Sequence, residues 1–345
     1  MPRVLPTTVV GSYSVPAWLA RLKDDHLHHR LSDQHLEEIS DVAIKAALKD
    51  QELAGLDIVT DGELRRDNDI DYLLARIPGV ELRGGGDGGG KDYYYDYVDA
   101  EVVRPLGSDD ADDGDDDAAC SLGLDDEFRF TVAHTDRPIK VSLTGPFSLS
   151  RRLADRVYGD DAGLVLALAE VLHAEAARLA AAGATRLQLD EPFLAGYPEH
   201  VELAMRAVNV VTEGVDVTWS LHVCYGNRYA RPSWEGHYDF LFPAVLDVKV
   251  DQLMLEFARK GDGDLALIGR HGWDRQLGLG VIDVKSDEIE AQDVIAARIR
   301  RALDVVPADR LSINPDCGLR HVPPDVARAK LRSMVSATDR VRSEL

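Results

Sequence analysis

Short apolar runs alternate with longer amphipathic stretches along nearly the whole chain, and this alternation constrains the fold more than any other feature. The runs have the length of a strand and are rich in Val, Ile and Leu, as expected for strands buried on both faces. Eight such runs occur, at 4–12, 56–63, 138–146, 185–192, 217–226, 251–258, 277–284 and 311–318. The clearest helical patterns between and after them cover 33–55, 162–183, 289–306 and 323–345.

Eight strands alternating with helices in 345 residues predict an α/β fold, a single (β/α)8 TIM barrel over 1–345. A doubly wound open sheet is the alternative, but no G-x-G-x-x-G follows the first strand. The segment 77–135 interrupts the alternation between the second helix and the third strand. It contains a Gly- and Tyr-rich stretch at 83–97 and an acidic run at 108–117, without a P-loop motif. We expect an inserted hairpin with solvated, mobile tips.

The charge balance restricts the partners of the chain. Lys and Arg number 39 against 61 Asp and Glu, a net charge of −22, which disfavours binding to nucleic acid. No apolar run is long enough to span a bilayer, and the N-terminal segment lacks the pattern of a signal peptide. We therefore expect a cytoplasmic protein without membrane partners. The acidic residues comprise 43 Asp and only 18 Glu, and the basic ones 30 Arg and only 9 Lys. That bias is typical of extreme halophiles, with a merely acidic mesophilic protein as the alternative.

Polar or ligating side chains follow almost every predicted strand. In a barrel the carboxyl ends of the strands converge on one site, so we expect these residues to lie close together. They are Ser12, Glu63, Thr144, Asp190, Glu191, His222, Cys224, Glu256, Asp283, Lys285 and Cys317. Asp283 and Lys285 are candidate catalytic residues, although Lys285 could instead pair with Asp283 or Asp287.

Four of these residues form a set suited to zinc. His222 and Cys224 stand at i and i+2 of one strand, so their side chains share a face. Glu256 ends the next strand and Cys317 ends the last. Two thiolates, an imidazole and a carboxylate make a soft, four-coordinate ligand set. A buried H-x-C pair without metal is the alternative. Cys120, in the inserted segment, is expected to be structural or incidental.

Such a zinc site predicts thiol chemistry. A free thiol has a pKa of about 8.5, and coordination to a metal deprotonates it. If Glu256 or a water leaves the metal, a substrate thiol can take that position as a thiolate. Two cysteine ligands donate electron density, whereas hydrolytic zinc sites usually carry His and carboxylate ligands. We therefore expect alkylation of a thiol rather than hydrolysis.

Three further strand-end residues are candidates for substrate binding. The carboxylates of Glu63 and Asp190, with the hydroxyl of Ser12, could hold a cationic group through charge-assisted hydrogen bonds. Capping of the following helices is an equally good interpretation, because Asp and Ser often serve that purpose.

Taken together, the motifs resemble the catalytic C-terminal barrel of cobalamin-independent methionine synthase nearly from end to end. VVGSYSVP resembles the family's opening I-G-S-F-P, and DGELRRDN resembles its H-G-E-x-x-R-N-D. RPIKVSLTGP, LQLDEP, LHVCYG, LEFAR, GVIDVKS and NPDCGL follow in the family order. The H-x-C, Glu and N-P-D-C-G-L set is specific, since all four zinc positions recur in order.

The resemblance implies a zinc-dependent methyl transfer to the thiol of homocysteine, which gives methionine. It also implies site residues, carried over by position: His222, Cys224, Glu256 and Cys317 for zinc, Glu63 and Asp190 for the amino group of homocysteine, and Gly11 and Ser12 for its carboxylate.

Three departures from the family concern the methyl donor. The full-length enzymes carry an extra N-terminal barrel that helps enclose a polyglutamated folate, and this chain resembles the short form. Arg152 stands near the family's folate-packing Trp after T-G-P, and Lys285 replaces the histidine of D-I-H-S. The zinc and homocysteine residues are thus kept while the folate residues are altered.

The donor therefore stays open between methyltetrahydrofolate and a methylated corrinoid protein, with a slight preference for the corrinoid. A separate partner chain could also complete a folate site. Two other functions are alternatives. One is methyl transfer to another thiol, such as a coenzyme-M-like thiol. The carboxylates of Glu63 and Asp190 would repel the sulfonate group of such a substrate. The other is a non-catalytic barrel subunit of a two-chain methionine synthase.

Overall fold

The computed structural model describes residues 3–68, 70–83, 99–107 and 121–345. Within these residues the helices are α1 (Ala17–Leu27), α2 (Asp33–Ala54), α3 (Asp71–Leu74), α4 (Leu124–Val132), α5 (Pro146–Ser150), α6 (Asp161–Ala181), α7 (Val201–Thr212), α8 (Leu265–His271), α9 (Gln292–Leu303) and α10 (Pro324–Arg342). The strands are β1 (Val80–Arg83), β2 (Asp99–Val102), β3 (Val141–Thr144), β4 (Leu153–Asp155), β5 (Arg186–Asp190), β6 (Thr218–Val223), β7 (Gln252–Glu256), β8 (Gln276–Ile282) and β9 (Leu311–Pro315).

A six-stranded parallel sheet forms the centre of the fold, in the order β3-β5-β6-β7-β8-β9. Every neighbouring pair is parallel, and β7 and β9 are buried at every residue. The apolar runs produce this arrangement because a strand covered on both faces cannot alternate polar and apolar residues. The predicted α/β fold is confirmed at this level, and the carboxyl ends of six strands lie at one edge.

The segment 4–12, predicted as the first strand, contributes a single bridge instead of a regular strand. Thr7 pairs in parallel with Ile313 of β9, and the Thr8 amide donates to the Ile313 carbonyl at 3.0 Å. The amide and hydroxyl of Thr7 donate to the carboxylate of Asp57, at 2.8 and 2.9 Å. A side chain thus takes the place of a strand neighbour, which explains why the ladder stops.

The segment 56–63, predicted as the second strand, departs from regular pairing in the same way. Val59 forms one parallel bridge with Ile139, directly before β3. The amide of Thr60 donates to the Gln51 side chain at 3.0 Å, and the Thr60 carbonyl accepts from it at 2.8 Å. Because α2 supplies both partners, the backbone here is satisfied without a strand beside it.

The segment 77–135 contains part of a second, smaller sheet. Strands β1 and β2 pair antiparallel, and β2 pairs in parallel with β4, which follows α5. Neither β4 nor α4 is among the elements predicted from the sequence. The Gly- and Tyr-rich stretch from residue 84, the acidic run and Cys120 lie outside the described residues.

The helices predicted at 33–55, 162–183, 289–306 and 323–345 are confirmed as α2, α6, α9 and α10. The ends of α2 and α6 follow capping rules. Ser32 caps α2 by accepting the His35 amide, and the helix ends at Gly55 with a left-handed φ of 89°. Asp160 caps α6 by accepting the Gly163 amide at 2.7 Å. Among the described residues, no helix combines the length and the apolarity needed to cross a membrane.

Candidate active site

Strands β6 and β9 bring three of the four predicted metal ligands together. His222 lies near the end of β6, Cys224 follows that strand, and Cys317 lies two residues after β9. One ligand atom from each residue lies within 4.8 Å of the other two. Cys224 and Cys317 are free thiols rather than a disulfide. Two sulfur donors and one imidazole nitrogen at this spacing match the donor types of a zinc site.

The orientation of His222 also fits a metal ligand. Its Nδ1 lies 3.2 Å from the carbonyl oxygen of Met254, so the proton on Nδ1 can be donated to that oxygen. The buried Nε2 atom has no hydrogen-bond partner within the described part of the chain. A hydrogen bond at one ring nitrogen leaves the lone pair of the other available to a metal. The residues present therefore fit zinc.

Glu256, the fourth predicted ligand, does not join this three-residue cluster. Its Oε1 accepts a hydrogen bond from Lys285 Nζ at 2.7 Å, in an ion pair whose side chains are 0% and 3% exposed. Burial lowers the pKa of Lys285, but Glu256 and the neighbouring thiols outweigh this effect and raise the pKa overall. The buried ammonium stays charged and draws the carboxylate toward itself.

A network behind Lys285 fixes the loop after β8. The Lys285 amide donates to Asp283 Oδ1 at 2.8 Å, and the Asp283 amide donates to Glu290 at 2.7 Å. Lys330 of α10 donates to the Asp283 carbonyl at 3.0 Å and to Glu290 Oε2 at 2.9 Å. The Asp283 carboxylate, predicted as catalytic, thus shapes the turn that carries Lys285, which is the residue facing the site.

The predicted substrate residues Gly11 and Glu63 lie in contact. A Cβ atom placed on Gly11 would stand 2.2 Å from Glu63 Oε1, so only glycine leaves room for this carboxylate. Glu63 itself has a φ of 55°, a left-handed conformation that costs energy for a side-chain-bearing residue. The buried guanidinium groups of Arg66 and Arg320 each lie 3.8 Å from the carboxylate.

Ser12 and Asp190 connect this carboxylate region to the three-residue cluster. A Cβ on Gly318 would stand 2.0 Å from Ser12 Oγ, so Ser12 packs against the residue that follows Cys317. Asp190 pairs with His222 in the register of β5 and β6, and Gln188 Nε2 donates to Asp190 Oδ1 at 2.6 Å. The residues predicted to bind the metal and those predicted to bind the amino-acid part of the substrate are therefore adjacent.

A buried lysine near the amino-terminal ends of the strands contacts both the segment before Gly11 and the strand that ends at Glu256. Lys140, directly before β3, donates through Nζ to the Val9 carbonyl at 2.7 Å and lies 3.7 Å from Met254 Sδ. Burial lowers the pKa of Lys140 to about 7, although Asp190 and Glu63 oppose the shift. Lys140 could not be identified from the sequence, since a lone lysine at the start of a strand forms no pattern.

Two further carboxylates hold the loops that surround the site. Asp316 accepts the amides of the three residues after Glu256, at 3.0, 2.8 and 2.9 Å. Glu191 accepts the amides of Phe147 and Ser148 at the start of α5, at 3.1 and 2.8 Å. Burial raises the pKa of Glu191 to about 7. Glu191 is one of the predicted strand-end residues, whereas Asp316 is not, although it stands directly before Cys317.

A cavity of about 350 Å³ lies beside the cluster. Its walls include Phe193 and Trp234, whose rings meet edge-to-face at 5.4 Å, and three cationic residues, Arg151, Arg152 and Arg228. Asn227, another wall residue, donates to the carbonyl of Gly318 at 3.0 Å, one residue beyond Cys317. The cavity wall thus reaches residues close in sequence to both thiols, and it combines aromatic surface with arginines, of which Arg152 pairs with Asp71 of the same wall at 3.7 Å.

The family model described as "Cobalamin-independent synthase, Catalytic domain" matches residues 5–340. The chain belongs to the cobalamin-independent methionine synthase family. This assignment makes it a methyltransferase of the methionine synthase type. The methionine synthase of Sulfurisphaera tokodaii is 33% identical to the enzyme over 99% of this chain and 94% of the relative. That of Saccharolobus solfataricus is 34% identical over 99% and 96%.

A solved structure agrees with this assignment. The B12-independent methionine synthase from Shewanella sp. W3-18-1, determined in complex with selenomethionine, superposes on the enzyme with a TM-score of 0.84. The two are 27% identical, and the match covers 99% of this chain and 98% of the other. The Listeria monocytogenes protein described as a putative vitamin-B12-independent methionine synthase, at 22% identity and a TM-score of 0.73, shares the fold.

Proposed function

We propose that the enzyme makes methionine by a zinc-dependent methyl transfer to the thiol of homocysteine, with His222, Cys224 and Cys317 as the protein ligands of the metal. The observation that carries this proposal is the cluster of these three donors within 4.8 Å. The partnerless Nε2 of His222 supports it from the same residues. When bound, zinc supplies a lowered thiol pKa, so that the substrate sulfur is held as a nucleophilic thiolate.

We also infer that the six-stranded sheet closes into an eight-stranded barrel through the segments around Thr7 and Val59. The Thr7 bridge to β9 and the Val59 bridge to Ile139 support closure from both edges of the sheet. The amides of Asp57 and Ile58 donate to the Thr7 carbonyl at 3.0 and 3.1 Å, which joins the two segments to each other. Closure would bring Gly11 and Glu63 to the same rim as the thiols.

The amino-acid part of homocysteine would lie between the carboxylates of Glu63 and Asp190 and the segment at Gly11 and Ser12. Glu63 and Asp190 suit its ammonium group, because charge-assisted hydrogen bonds form between opposite charges. Ser12 would receive the substrate carboxylate, and it packs against Gly318, beside the thiol Cys317. The Shewanella relative was determined with selenomethionine, an amino acid with the product's skeleton, which supports a binding site of this kind.

Methyltetrahydrofolate is the donor that the cavity supports best. Phe193 and Trp234 offer aromatic faces for a flat heterocycle. The carboxylates of a glutamate tail could bind at the arginines of the wall, where they would share Arg151 with Asp161 and Arg152 with Asp71. Arg152, which stands near the family's folate-packing Trp, lies in this wall, so Trp234 would supply the aromatic contact from another loop. The altered folate residues slightly favour a corrinoid, but the "B12-independent" description of the Shewanella protein supports the folate instead.

The test is methionine formation from homocysteine by the purified, zinc-loaded enzyme in molar KCl, with methyltetrahydrofolate and methylcobalamin offered separately. We expect turnover with the folate. Turnover with methylcobalamin alone would assign the donor to a corrinoid and contradict the cavity argument. Methionine from neither donor, with zinc bound, would point to a missing partner chain or to another thiol acceptor.

A further inference from the structure

A second cavity, of about 410 Å³, lies at the amino-terminal ends of the strands, away from the thiols. Along β7, its wall residue Gln252 is the first residue and Glu256 is the last, four positions or about 13 Å apart. Each strand of the six-stranded sheet contributes a polar side chain at or next to its beginning to this wall: Lys140, Arg186, Thr218, Gln252, Gln276 and Ser312. The proposed methyl transfer uses none of these side chains.

Two cationic side chains of this wall have no counterion. Lys140 is only 4% exposed, and the hydrogen bond that its ammonium donates at 2.7 Å goes to a neutral carbonyl. Among the described residues, no carboxylate lies within 4 Å of the Lys140 ammonium or of the Arg186 guanidinium. Arg3, a third cation of the wall, differs because it pairs with Asp57 and Asp339, both at 2.7 Å. A buried charge without a partner is costly, so the arrangement favours a bound anion.

The two unpaired cations also repel each other. Burial is the main cause that lowers the pKa of Lys140 to about 7, and the charge of Arg186 lowers it further, against the opposing effect of Asp190 and Glu63. An anion between the two cations would remove their repulsion and favour the protonated lysine. The chain as a whole carries a net charge of −22 and repels anions, so binding of an anion here would have to come from the wall itself.

The neutral residues of the wall are oriented to donate a hydrogen bond. Ser220 Oγ donates to Gln252 Oε1 at 2.9 Å, and Gln252 Nε2 donates to Ser312 Oγ at 2.8 Å. Because the bonds run in this direction, the hydroxyl proton of Ser312 remains for another acceptor, and the described part of the chain supplies none. A guanidinium, an ammonium and a hydroxyl donor are groups that bind the oxygens of a phosphate.

We propose that this cavity is an oxyanion site, in which Lys140, Arg186 and Ser312 bind a phosphate group. Its volume is larger than inorganic phosphate needs and lies within the range of about 300–1,000 Å³ that is typical of small-molecule sites. A phosphate monoester therefore fits as well as phosphate itself. The wall includes Arg3, whose side chain is 51% exposed, so a ligand can enter from solvent on that side without passing the thiols.

The test is calorimetric titration of inorganic phosphate, and in parallel of glycerol 2-phosphate, into the purified enzyme in molar KCl. The Debye length is then about 3 Å, so non-specific attraction between charges is screened. Lys140→Met and Arg186→Gln each remove one cation of the wall, and Ser312→Ala removes the hydroxyl. Lys249→Met and Arg300→Gln are the matched controls, because both residues are exposed, form ion pairs outside this cavity and change the net charge by the same amount.

We expect one phosphate to bind per chain, and each cation variant to bind it about tenfold more weakly or worse, because a charge-assisted hydrogen bond is lost. Ser312→Ala should weaken binding less, by about threefold, since only a hydroxyl is removed. Both controls should bind phosphate as the wild type does. Tighter binding of the monoester would identify the ligand as a phosphorylated small molecule, and equal binding would identify it as phosphate.

Two results would overturn the inference. One is a wild-type protein without saturable binding of either ligand. The other is binding that Lys140→Met and Arg186→Gln leave unchanged or reduce no more than the controls do, which would place the phosphate elsewhere. Circular dichroism checks that each variant is folded. If the buried Lys140→Met variant does not fold, Arg186→Gln, at a partly exposed residue, still decides the question. None of these outcomes alters methionine formation by the wild type, so the inference and the proposed function fail separately.

Discussion

The two halves of the site are built in different ways. The thiol half, with His222, Cys224 and Cys317, stands on or directly after strands that are paired in a parallel ladder. The amino-acid half, with Gly11 and Glu63, stands on segments that are joined by isolated bridges, scattered backbone hydrogen bonds and side chains rather than by a continuous ladder. The first half takes its precision from regular secondary structure. The second takes it from close packing, a left-handed φ and buried arginines, so it should be the more easily disturbed.

Breaking the thiol half should have the largest effect. Cys317→Ser replaces a soft thiolate by a hydroxyl that zinc binds poorly. We expect zinc content and methionine formation to fall together by more than about 100-fold, since changes behind a ligand already cost about 10–100-fold. Metal analysis and the methionine assay measure the two quantities. Ser12 should keep its position, because its carbonyl accepts the Leu319 amide at 2.8 Å and this bond does not involve the Cys317 side chain. A fully active, zinc-loaded variant would contradict the ligand assignment.

Breaking the amino-acid half should leave the metal in place. Gly11→Ala would put a methyl group 2.2 Å from Glu63 Oε1 and 2.7 Å from Ser142 Oγ, so the Glu63 carboxylate must move. Loss of a hydrogen bond to a charged group costs about 1.5–3 kcal/mol, which predicts a rise in the KM for homocysteine of about tenfold or more. Zinc content should be unchanged.

Gly263→Ala is the matched control for this substitution, since a Cβ there meets no atom within 4 Å. It should behave as the wild type in both zinc content and KM. If Gly11→Ala released zinc as readily as it weakened homocysteine binding, the two halves would not be independent and the comparison would fail.

The same contrast explains what could be predicted from the sequence. His222 and Cys224 were predictable because alternation along a strand is a local property, and Cys317 because N-P-D-C-G-L follows a strand. The ends of α2 were predictable from its terminal glycine and helical period. Single bridges in place of the first two strands were not, because the side chains of Asp57 and Gln51 replace backbone partners there.

The partner of Lys285 could not be predicted from the sequence either. Asp283 and Asp287 are its neighbours along the sequence, and proximity in sequence favours them as partners. The loop after β8 brings the ammonium instead to Glu256 at the end of β7, a residue 29 positions earlier. Pairing across two strand ends depends on how the loops are folded. Here the Asp283 carboxylate accepts the backbone amide of Lys285 and does not pair with the Lys285 ammonium.

The smallest effect concerns Lys140, which joins the two halves through the Val9 carbonyl and Met254. Its pKa is about 7 in the folded protein and 10.5 in its ordinary state, so between these values the unfolded chain binds the proton and the folded one does not. Stability contributed by this group is therefore lowest below pH 7 and rises with pH, by up to about 1.4 kcal/mol per pH unit.

Lys140→Met removes the titrating group. Urea unfolding at pH 7, 8 and 9 should show the stability of the wild type gaining on that of the variant as the pH rises. Other groups titrate equally in both proteins and cancel in the difference. Parallel stability curves would mean that Lys140 keeps its proton in the folded state, held by Asp190 and Glu63, and that the two halves share an electrostatic contact as well as a packing one.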